Sequence, residues 1–264
     1  MSAGRALLSA TGINKRFGGV QALADVTFTI DHGEIYGLIG PNGAGKTSLF
    51  NVLTGIYTQD SGEFAFDGVT LAGLKPHEVA ARGIARTFQN IRLFANLSAL
   101  ENVMIGRHVR THAGVWGAIS RNPRTRNEEK RIEKRAYELL EYVGIAPRAD
   151  YLARHLAYGD QRRLEIACAL ATDPKLLALD EPAAGMNATE TASLKRLLDD
   201  IRKDGTTILL IEHDMKLVMS VCDRVLVLDY GKKIAEGPAA DVQKDPGVIA
   251  AYLGGEITLQ AAAS

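Results

Sequence analysis

The stretch that decides the fold is "EIYGLIGPNGAGKTSLFNVLTG", residues 34–55. An apolar run leads into a glycine-rich loop, and a segment with helical spacing of apolar residues follows it. The loop matches G-x-x-x-x-G-K-[ST], in which glycines let backbone N–H groups curl around phosphates, the lysine contacts β- and γ-phosphates, and the final hydroxyl binds Mg²⁺. The sequence therefore predicts a strand–loop–helix unit that holds a nucleotide through Gly40, Pro41, Asn42, Gly43, Ala44, Gly45, Lys46, Thr47 and Ser48.

Two more apolar runs end in titratable residues, "KLLALDEP" (175–182) and "TTILLIEHD" (206–214). Continuous apolar runs of this kind are typical of parallel strands buried on both faces. Asp180 is suited to hold Mg²⁺, and Glu181 to orient or deprotonate an attacking water. Taken alone, this acidic pair is equally compatible with the N-cap of a following helix. His213 is predicted to contact the γ-phosphate, although a lone histidine is usually structural.

Other segments complete the predicted organisation. "DVTFTIDHGEIYGLIG" suggests two strands around a turn, and "RVLVLDYGKKIAEG" suggests a hairpin at Tyr230-Gly231. "GEFAFDG" is predicted as a short exposed strand, and "GIARTFQ" as a strand that ends at Gln89. From about Ser98 to Leu156 the pattern is helical, and Gly144 closes a helix whose apolar face carries Ile132, Ala136, Leu139, Leu140 and Val143.

Composition excludes several classes of protein. The 264 residues include 31 Lys+Arg and 31 Asp+Glu, so the net charge of zero argues against capture of nucleic acid or anionic lipid. Cys168 and Cys222 lack a zinc-binding spacing and are expected to be buried, unpaired thiols of a reducing compartment. The absence of a signal-peptide pattern and of an apolar run of about 18 residues predicts a soluble, cytoplasmic protein.

Over nearly its whole length the chain resembles the ATP-binding cassette (ABC) ATPases. The resemblance rests on an ordered set: Phe17, GPNGAGKT, Gln89, "LAYGDQ", "LLALDEP", "AAGMN" and His213. It implies an α/β fold, a P-loop NTPase core of the RecA type with an antiparallel β subdomain and an inserted helical subdomain. The corresponding boundaries are 1–97 with 157–255 for the core and β subdomain, 98–156 for the helical subdomain, and 256–264 for a tail.

The resemblance also implies roles for individual residues. Phe17 stacks on adenine, Glu181 is the catalytic base, and Asn187 ends a loop that crosses a dimer interface. Gln89 senses Mg²⁺ and the membrane partner, so the metal set is Thr47, Gln89 and Asp180. Phe17 replaces the commoner tyrosine, and Asn187 replaces the usual aspartate.

A second helix start with the layout of an anion site, "HLAYGDQRR" (155–163), has no phosphate-binding loop of its own. In the family two cassettes pack head to tail, and this helix start binds the γ-phosphate of ATP held by the partner. The residues expected to do so are Ala157, Tyr158, Gly159, Asp160 and Gln161. The common family pattern is Leu-Ser-Gly-Gly-Gln. Ala157 therefore lacks a serine hydroxyl bond worth about 1.5–3 kcal/mol, and we expect a weakened site.

A narrower resemblance points to the ATPase subunits of bacterial branched-chain amino acid importers. Its stretches are "RTFQNIRLFANLSALENVMIGRH", "LAYGDQRRLEIACALATDPKLLALDEPAAGMN", "ILLIEHDMKLVMSVCDRVLVLDYGKKIAEG", "VIAAYLGGE" and the insertion "THAGVWGAISRNPRTRNEEKR". The resemblance implies ATP and Mg²⁺ as cofactors and a place on the inner face of the cell membrane. The implied partners are a second cassette, two membrane permeases and, indirectly, an external solute-binding protein. Related systems carry other amino acids or urea.

Two rival functions have features that discriminate them. A soluble ABC ATPase acting on ribosomes or DNA would carry two cassettes or a long coiled-coil insertion, and neither is present. A GTPase would need an N-K-x-D motif, which "NKRF" at Asn14 does not supply. Phe94 and Leu97 suit either core packing or a groove for a permease helix. Trp116 suits either loop packing or a contact with membrane or a partner, and the basic run from Arg121 is expected to be a solvated helix face.

Overall fold

The computed structural model describes residues 6–107 and 123–252. Trp116, half of the insertion at 111–131 and the tail at 256–264 lie outside the described residues. The chain divides into two compact units, Met1–Val79 with Ala178–Ser264, and Ala80–Leu177.

The first unit begins with strands and the loop-associated helix. Its elements in chain order are β1 (Ala6–Phe17), β2 (Val20–Asp31), β3 (Ile35–Ile39), α1 (Lys46–Leu53), β4 (Ser61–Phe66), β5 (Val69–Thr70) and α2 (Pro76–Ala81). The second unit is mainly helical, with β6 (Ile84–Arg86), α3 (Ala99–Arg107), α4 (Pro123–Tyr142) and α5 (Tyr158–Leu170). The chain then returns to the first unit through β7 (Leu176–Asp180), α6 (Ala188–Lys203), β8 (Thr207–Ile211), α7 (Met215–Val221), β9 (Arg224–Asp229), β10 (Lys232–Pro238) and α8 (Ala239–Val242).

The larger sheet has the strand order β10-β9-β3-β8-β7-β6. Strand β3 lies parallel to both β8 and β9, and every residue of β3, β7 and β8 is buried. For β8 this confirms the predicted buried parallel strand, and for β7 it confirms the predicted burial. In open sheets of parallel strands ligands bind outside the carboxyl ends of the strands, which here lead to the glycine loop, Asp180 and Glu212.

The smaller sheet is antiparallel, with the order β2-β1-β4-β5. The strand predicted at 62–68 is present as β4, and its first half is exposed as predicted, but β4 pairs on both sides and its second half buries Phe64 and Phe66. The two strands predicted around the turn at 32–34 exist, but β2 and β3 belong to different sheets. The hairpin predicted at Tyr230-Gly231 is confirmed by the antiparallel pairing of β9 and β10.

In the second unit the predicted apolar face of α4 is confirmed, since its residues are all buried: Ile132, Ala136, Leu139 and Leu140. Strand β6 is shorter than predicted and ends at Arg86 rather than Gln89. Beyond Arg86 the backbone of Phe88 and Gln89 hydrogen-bonds to side chains of α5.

Two observations bear on composition. Both cysteines are free as predicted, although Cys168 is only partly buried, and burial raises the pKa of each thiol to about 12. Among residues 6–107 and 123–252, no helix is both long enough and apolar enough to cross a membrane.

Candidate functional site

The glycine loop joins β3 to α1, which begins at Lys46. Gly40 has a φ of 152° and Gly45 a φ of 101°, both in the region that favours glycine. A Cβ atom on Gly40 would lie 2.1 Å from the Leu228 carbonyl oxygen, and one on Gly45 would lie 2.5 Å from that of Ala22. Both positions therefore require glycine, because the positive φ disfavours other residues and a Cβ atom would collide with a carbonyl oxygen.

Lys46 is held inside this loop with its side chain 7% exposed. Its Nζ donates to the carbonyl oxygens of Gly40 at 2.6 Å and Pro41 at 3.0 Å. Burial lowers the pKa of Lys46, and the charges of Glu181 and Asp180 oppose that shift. The ammonium group therefore lies within electrostatic reach of the carboxylates that follow β7.

The end of β7 carries the predicted acidic pair. Asp180 is 4% exposed, and Glu181 has a left-handed φ of 49°, which is strained for a residue with a side chain. The Glu181 N–H donates to the Ile211 carbonyl at 2.9 Å, and its Oε1 lies 3.7 Å from Nδ1 of His213. The structure brings Glu181 and His213 close together, and their predicted roles toward water and the γ-phosphate stay predictions. It excludes the pair as an N-cap of α6, because that position is Asn187.

Glu212 is a residue that sequence reasoning missed. It is 1% exposed, and its carboxylate accepts from the backbone N–H groups of Ala183 at 2.9 Å and His213 at 3.3 Å. Burial raises the pKa of Glu212, and these hydrogen bonds oppose the shift. Glu212 therefore ties the turn after Glu181 to the residue after β8. The available signal was an acidic residue directly after a fully apolar strand.

Phe17 ends β1 with its ring 41% exposed. The ring of Tyr57 meets it edge-on with centroids 5.1 Å apart, and Nζ of Lys15 lies 5.4 Å from the Phe17 centroid. An exposed ring braced by a second aromatic residue is suited to stacking on a base. Sequence reasoning did not identify Tyr57.

In the second unit, Gln89 follows β6 with an exposed side chain. The helix start predicted in "HLAYGDQRR" is that of α5, whose N-cap is Ala157 and whose first residues are Tyr158 and Gly159, so Gly159 lies in the first helical turn rather than in a turn before the helix. Ala157 provides no side-chain cap, because it has no hydroxyl. The Asp160 carboxylate forms an ion pair with Arg148, which offsets its negative charge at this helix start.

Asn187 begins α6 with a capping box. Its side-chain oxygen accepts from the N–H groups of Thr189 and Glu190, each at 3.0 Å, and the Glu190 carboxylate accepts from the Asn187 N–H at 2.9 Å. The asparagine thus performs the capping that an aspartate at this position would also perform.

Comparison with known proteins identifies the family. The family model described as "ABC transporter" matches residues 23–184, and one described as "Branched-chain amino acid ATP-binding cassette transporter" matches residues 232–258. The chain belongs to the ABC transporter family. The P-loop NTPase fold that the resemblance to the ABC family implied is confirmed, and membership establishes that this cassette binds nucleotide and hydrolyses ATP.

Individual relatives support the same assignment. The high-affinity branched-chain amino acid transport ATP-binding protein BraF of Pseudomonas aeruginosa is 42% identical over 95% of this cassette and 98% of its own length. Its counterpart LivG of Escherichia coli is 44% identical over 94% of this cassette and 98% of its own length. The ADP conformation of MJ1267, an ATP-binding cassette of an ABC transporter, superposes with a TM-score of 0.83 at 31% identity, covering 95% of this cassette and 99% of that chain.

Proposed function

We propose that this chain is the ATP-hydrolysing subunit of an importer for branched-chain amino acids. The observation that carries the proposal is the similarity to BraF and LivG along nearly the full length of all three chains, together with the specific family model at the C-terminal end. The solute does not enter this chain's site, so import of urea or of other amino acids is the alternative that an uptake measurement must exclude.

The chemistry is assigned to the residues at the strand ends. Glu181 accepts the proton of the attacking water, and its carboxylate is aimed by the strained turn that Glu212 anchors. Lys46 neutralises charge on the β- and γ-phosphates, and His213, 3.7 Å from Glu181, contacts the γ-phosphate. Each of these side chains acts from a backbone held by the core strands, which limits the reorganisation needed during the reaction.

Thr47 and Asp180, with Gln89, would hold Mg²⁺. The three offer oxygen ligands, which Mg²⁺ prefers, and Mg²⁺ in nucleotide sites takes only one or two carboxylates beside the phosphates and water. Bound there, the ion would neutralise charge that develops on the phosphates.

A second cassette completes the site. The start of α5 has backbone N–H groups and a positive helix end, and Ala157 supplies no side chain to cap them. In the proposed head-to-tail dimer these groups bind the γ-phosphate of ATP on the partner. The ion pair between Asp160 and Arg148 reduces the repulsion that an unpaired carboxylate would create there.

A permease helix docks on the second unit at Phe94 and Leu97, on the inner face of the membrane. The ring of Phe94 is 56% exposed, so core packing does not explain it. The buried side chain of Asn102 fixes the underlying backbone: Oδ1 accepts from the Phe94 N–H at 2.8 Å, and Nδ2 donates to the carbonyls of Phe94 at 3.2 Å and Ser98 at 2.8 Å. An exposed aromatic ring on a rigid backbone is suited to anchor an apolar helix.

Substitution of Glu181 tests the proposed chemistry. Glu181→Gln removes the general base but keeps the shape, so hydrolysis should fall by about 10²–10⁴-fold while ATP binding persists. The variant should accumulate as an ATP-bound dimer, measured by light scattering beside phosphate release. Glu63→Gln, an exposed change on β4, is the control and should behave like the wild type. Wild-type turnover by Glu181→Gln would refute the assignment.

Isolation of the native complex tests the transport role. We expect permease subunits to co-elute with the tagged chain from detergent-solubilised membranes, and Phe94→Ala to reduce that recovery without loss of ATP binding. In cells that lack the gene, uptake of labelled leucine should fall and uptake of labelled urea should not. The reverse uptake pattern would assign a different solute.

A further inference from the structure

The guanidinium of Arg162, in the second turn of α5, is 3% exposed, and all five of its N–H groups are used. Nη1 donates to the Phe88 carbonyl at 2.8 Å and to Glu165 Oε2 at 3.2 Å. Nη2 donates to the Gln89 carbonyl at 2.6 Å and to the Tyr158 hydroxyl at 2.9 Å. Nε donates to the same hydroxyl at 3.1 Å. One side chain thus joins Gln89 to the first residue of α5.

Glu165 completes this clamp, which consists of Tyr158, Arg162 and Glu165. Its Oε1 accepts from the Phe88 N–H at 3.0 Å while Oε2 bonds Arg162. Burial raises the pKa of Glu165, and the hydrogen bonds and the Arg162 charge oppose that shift. The clamp therefore holds both the N–H and the carbonyl of Phe88 and the carbonyl of Gln89.

A buried ion pair is a poor device for stability alone, because apolar residues of similar volume would pack α5 equally well. The clamp fixes the backbone at Phe88 and Gln89, and it thereby sets the direction in which the Gln89 side chain leaves that backbone. The common family pattern has glycine where this chain has Tyr158, so the hydroxyl that receives two of the Arg162 N–H groups is a feature of this chain's own pattern.

We infer that Arg162 and Glu165 are positioning residues that couple Gln89 to the start of α5. The inference rests on the proposed function, in which Gln89 serves the chain's own nucleotide and residues 157–161 serve the partner's. A shift of the Gln89 backbone must then move Arg162 and, through the Tyr158 hydroxyl, the helix end presented to the other nucleotide. The clamp thereby links the two ATP sites of a dimer within one chain.

Hydrogen exchange on the full-length chain, kept monomeric as checked by light scattering, tests this coupling. In a monomer no partner nucleotide reaches α5, so a change at residues 157–161 when Mg²⁺-ATP binds must come from within the chain. We expect ATP to slow exchange at both 88–92 and 157–161 in the wild type. In Arg162→Met/Glu165→Met only the first response should remain. An equal response at 157–161 in this variant would overturn the inference.

Steady-state ATPase rates of the assembled transporter provide the second readout. The double variant should lower kcat by about 10- to 100-fold, the cost of misplacing a catalytic group, with little change in KM. Arg163→Met, which removes a neighbouring guanidinium bonded to the Val143 carbonyl, is the control and should keep the wild-type kcat. An unchanged kcat in the double variant would also overturn the inference.

Two further outcomes separate the inference from the proposed function. If the double variant fails to fold, Tyr158→Phe removes only the hydroxyl and should abolish the response at 157–161 by itself. A response at 157–161 that persists in Tyr158→Phe would refute the coupling. If the wild type hydrolyses ATP but shows no response at 157–161, the inference fails and the proposed function stands. If the wild type hydrolyses no ATP, both fail.

Discussion

At the scale of single residues, Glu212 and Phe17 illustrate two different environments at the candidate site, one buried in the core and one partly exposed at the surface. Glu212 is nearly inaccessible, yet its carboxylate receives the backbone N–H groups that shape the turn after Glu181. Phe17 is 41% exposed, and the ring of Tyr57 packs edge-on against it. Burial of the Glu212 carboxylate disfavours its charged form, and Phe17 keeps part of an apolar ring exposed to solvent. Each of these features has a measurable consequence.

The raised pKa of Glu212 makes stability depend on pH. A carboxyl whose pKa in the folded state exceeds its unfolded value of 4.5 favours folding most below that pH, and the contribution is lost as pH rises through the folded pKa. The free energy of unfolding of Glu212→Gln, minus that of the wild type, should therefore increase from pH 4.5 to neutral. Urea denaturation measures it, and Glu63→Gln should give a flat difference. If the difference in unfolding free energy between Glu212→Gln and the wild type does not change with pH, the pKa of Glu212 is not raised in the folded state.

Replacement of Phe17 tests stacking on the base. Phe17→Ala should weaken ATP, ADP and GTP binding by similar factors, because stacking on a base is worth about 1–3 kcal/mol and does not distinguish purines. Calorimetry with each nucleotide measures the three affinities. Tyr57→Ala should produce a smaller loss in all three, and Phe94→Ala none. If Phe17→Ala leaves all three affinities intact, the ring is only a structural cover.

At the scale of elements, the starts of three helices differ in how their free N–H groups are satisfied. Helix α1 begins after Gly45 and α5 after Ala157, and neither has a side-chain cap, whereas α6 begins with a full capping box at Asn187. Of these three, the two uncapped starts belong to the helices predicted to receive phosphate, although the short α8 after Pro238 also lacks a side-chain cap. A capped start has its first donors occupied and is less suited to bind an anion.

Asn187 should therefore matter for stability through its cap. Asn187→Ala should lower the free energy of unfolding by about 0.5–2 kcal/mol, because the N–H groups of Thr189 and Glu190 lose their acceptor. Asn187→Asp keeps an acceptor and should stay close to the wild type. Chemical denaturation of the three proteins decides the point. A stable Asn187→Ala variant with impaired ATPase in the complex would show that the position acts only at the dimer interface.

At the scale of the whole molecule, the sequence carries the phosphate-binding loop at 40–47 and the uncapped start of α5, which is predicted to serve the partner's nucleotide. In the proposed dimer each loop is completed by α5 of the other chain. One chain alone can therefore bind ATP, whereas hydrolysis requires both chains. A substitution in the loop therefore impairs the ATP site of its own chain, whereas a substitution at the start of α5 impairs the ATP site of the partner. This separation distinguishes the head-to-tail dimer from a cassette that works alone.

Gly159 and Lys46 test that separation. Gly159→Asp should leave ATP affinity of the monomer unchanged, because its own loop is intact, whereas Lys46→Ala should weaken it. In the assembled transporter both should lose ATPase activity. Gly159→Ala, which adds bulk without charge, should lose less than Gly159→Asp. Calorimetry on the monomer and phosphate release from the complex give the two readouts. A large affinity loss in a correctly folded Gly159→Asp monomer would mean that α5 serves its own chain.

The sequence predicted structure correctly wherever a motif or an apolar periodicity lies within one short stretch of the chain. The loop at 40–47, the buried parallel strands and the helix face on α4 follow from glycine spacing and apolar periodicity. The positions of Glu181 and His213 at strand ends follow from the same parallel strands, since their carboxyl ends share one edge. Sequence alone therefore determined the family, the core fold and the residues proposed for ATP chemistry.

Only the tertiary structure decided which polar groups meet across long separations in the chain. Strand β6 ends at Arg86 because the next backbone groups bond to side chains more than seventy positions later. Arg162 donates to the carbonyls of Phe88 and Gln89, and Glu165 accepts from the Phe88 N–H. The burial of β4 depends on pairing with β1, and the turn after Glu181 depends on Glu212. Periodicity reports the face a residue occupies, whereas a hydrogen bond needs its partner's position in space, which no local pattern contains.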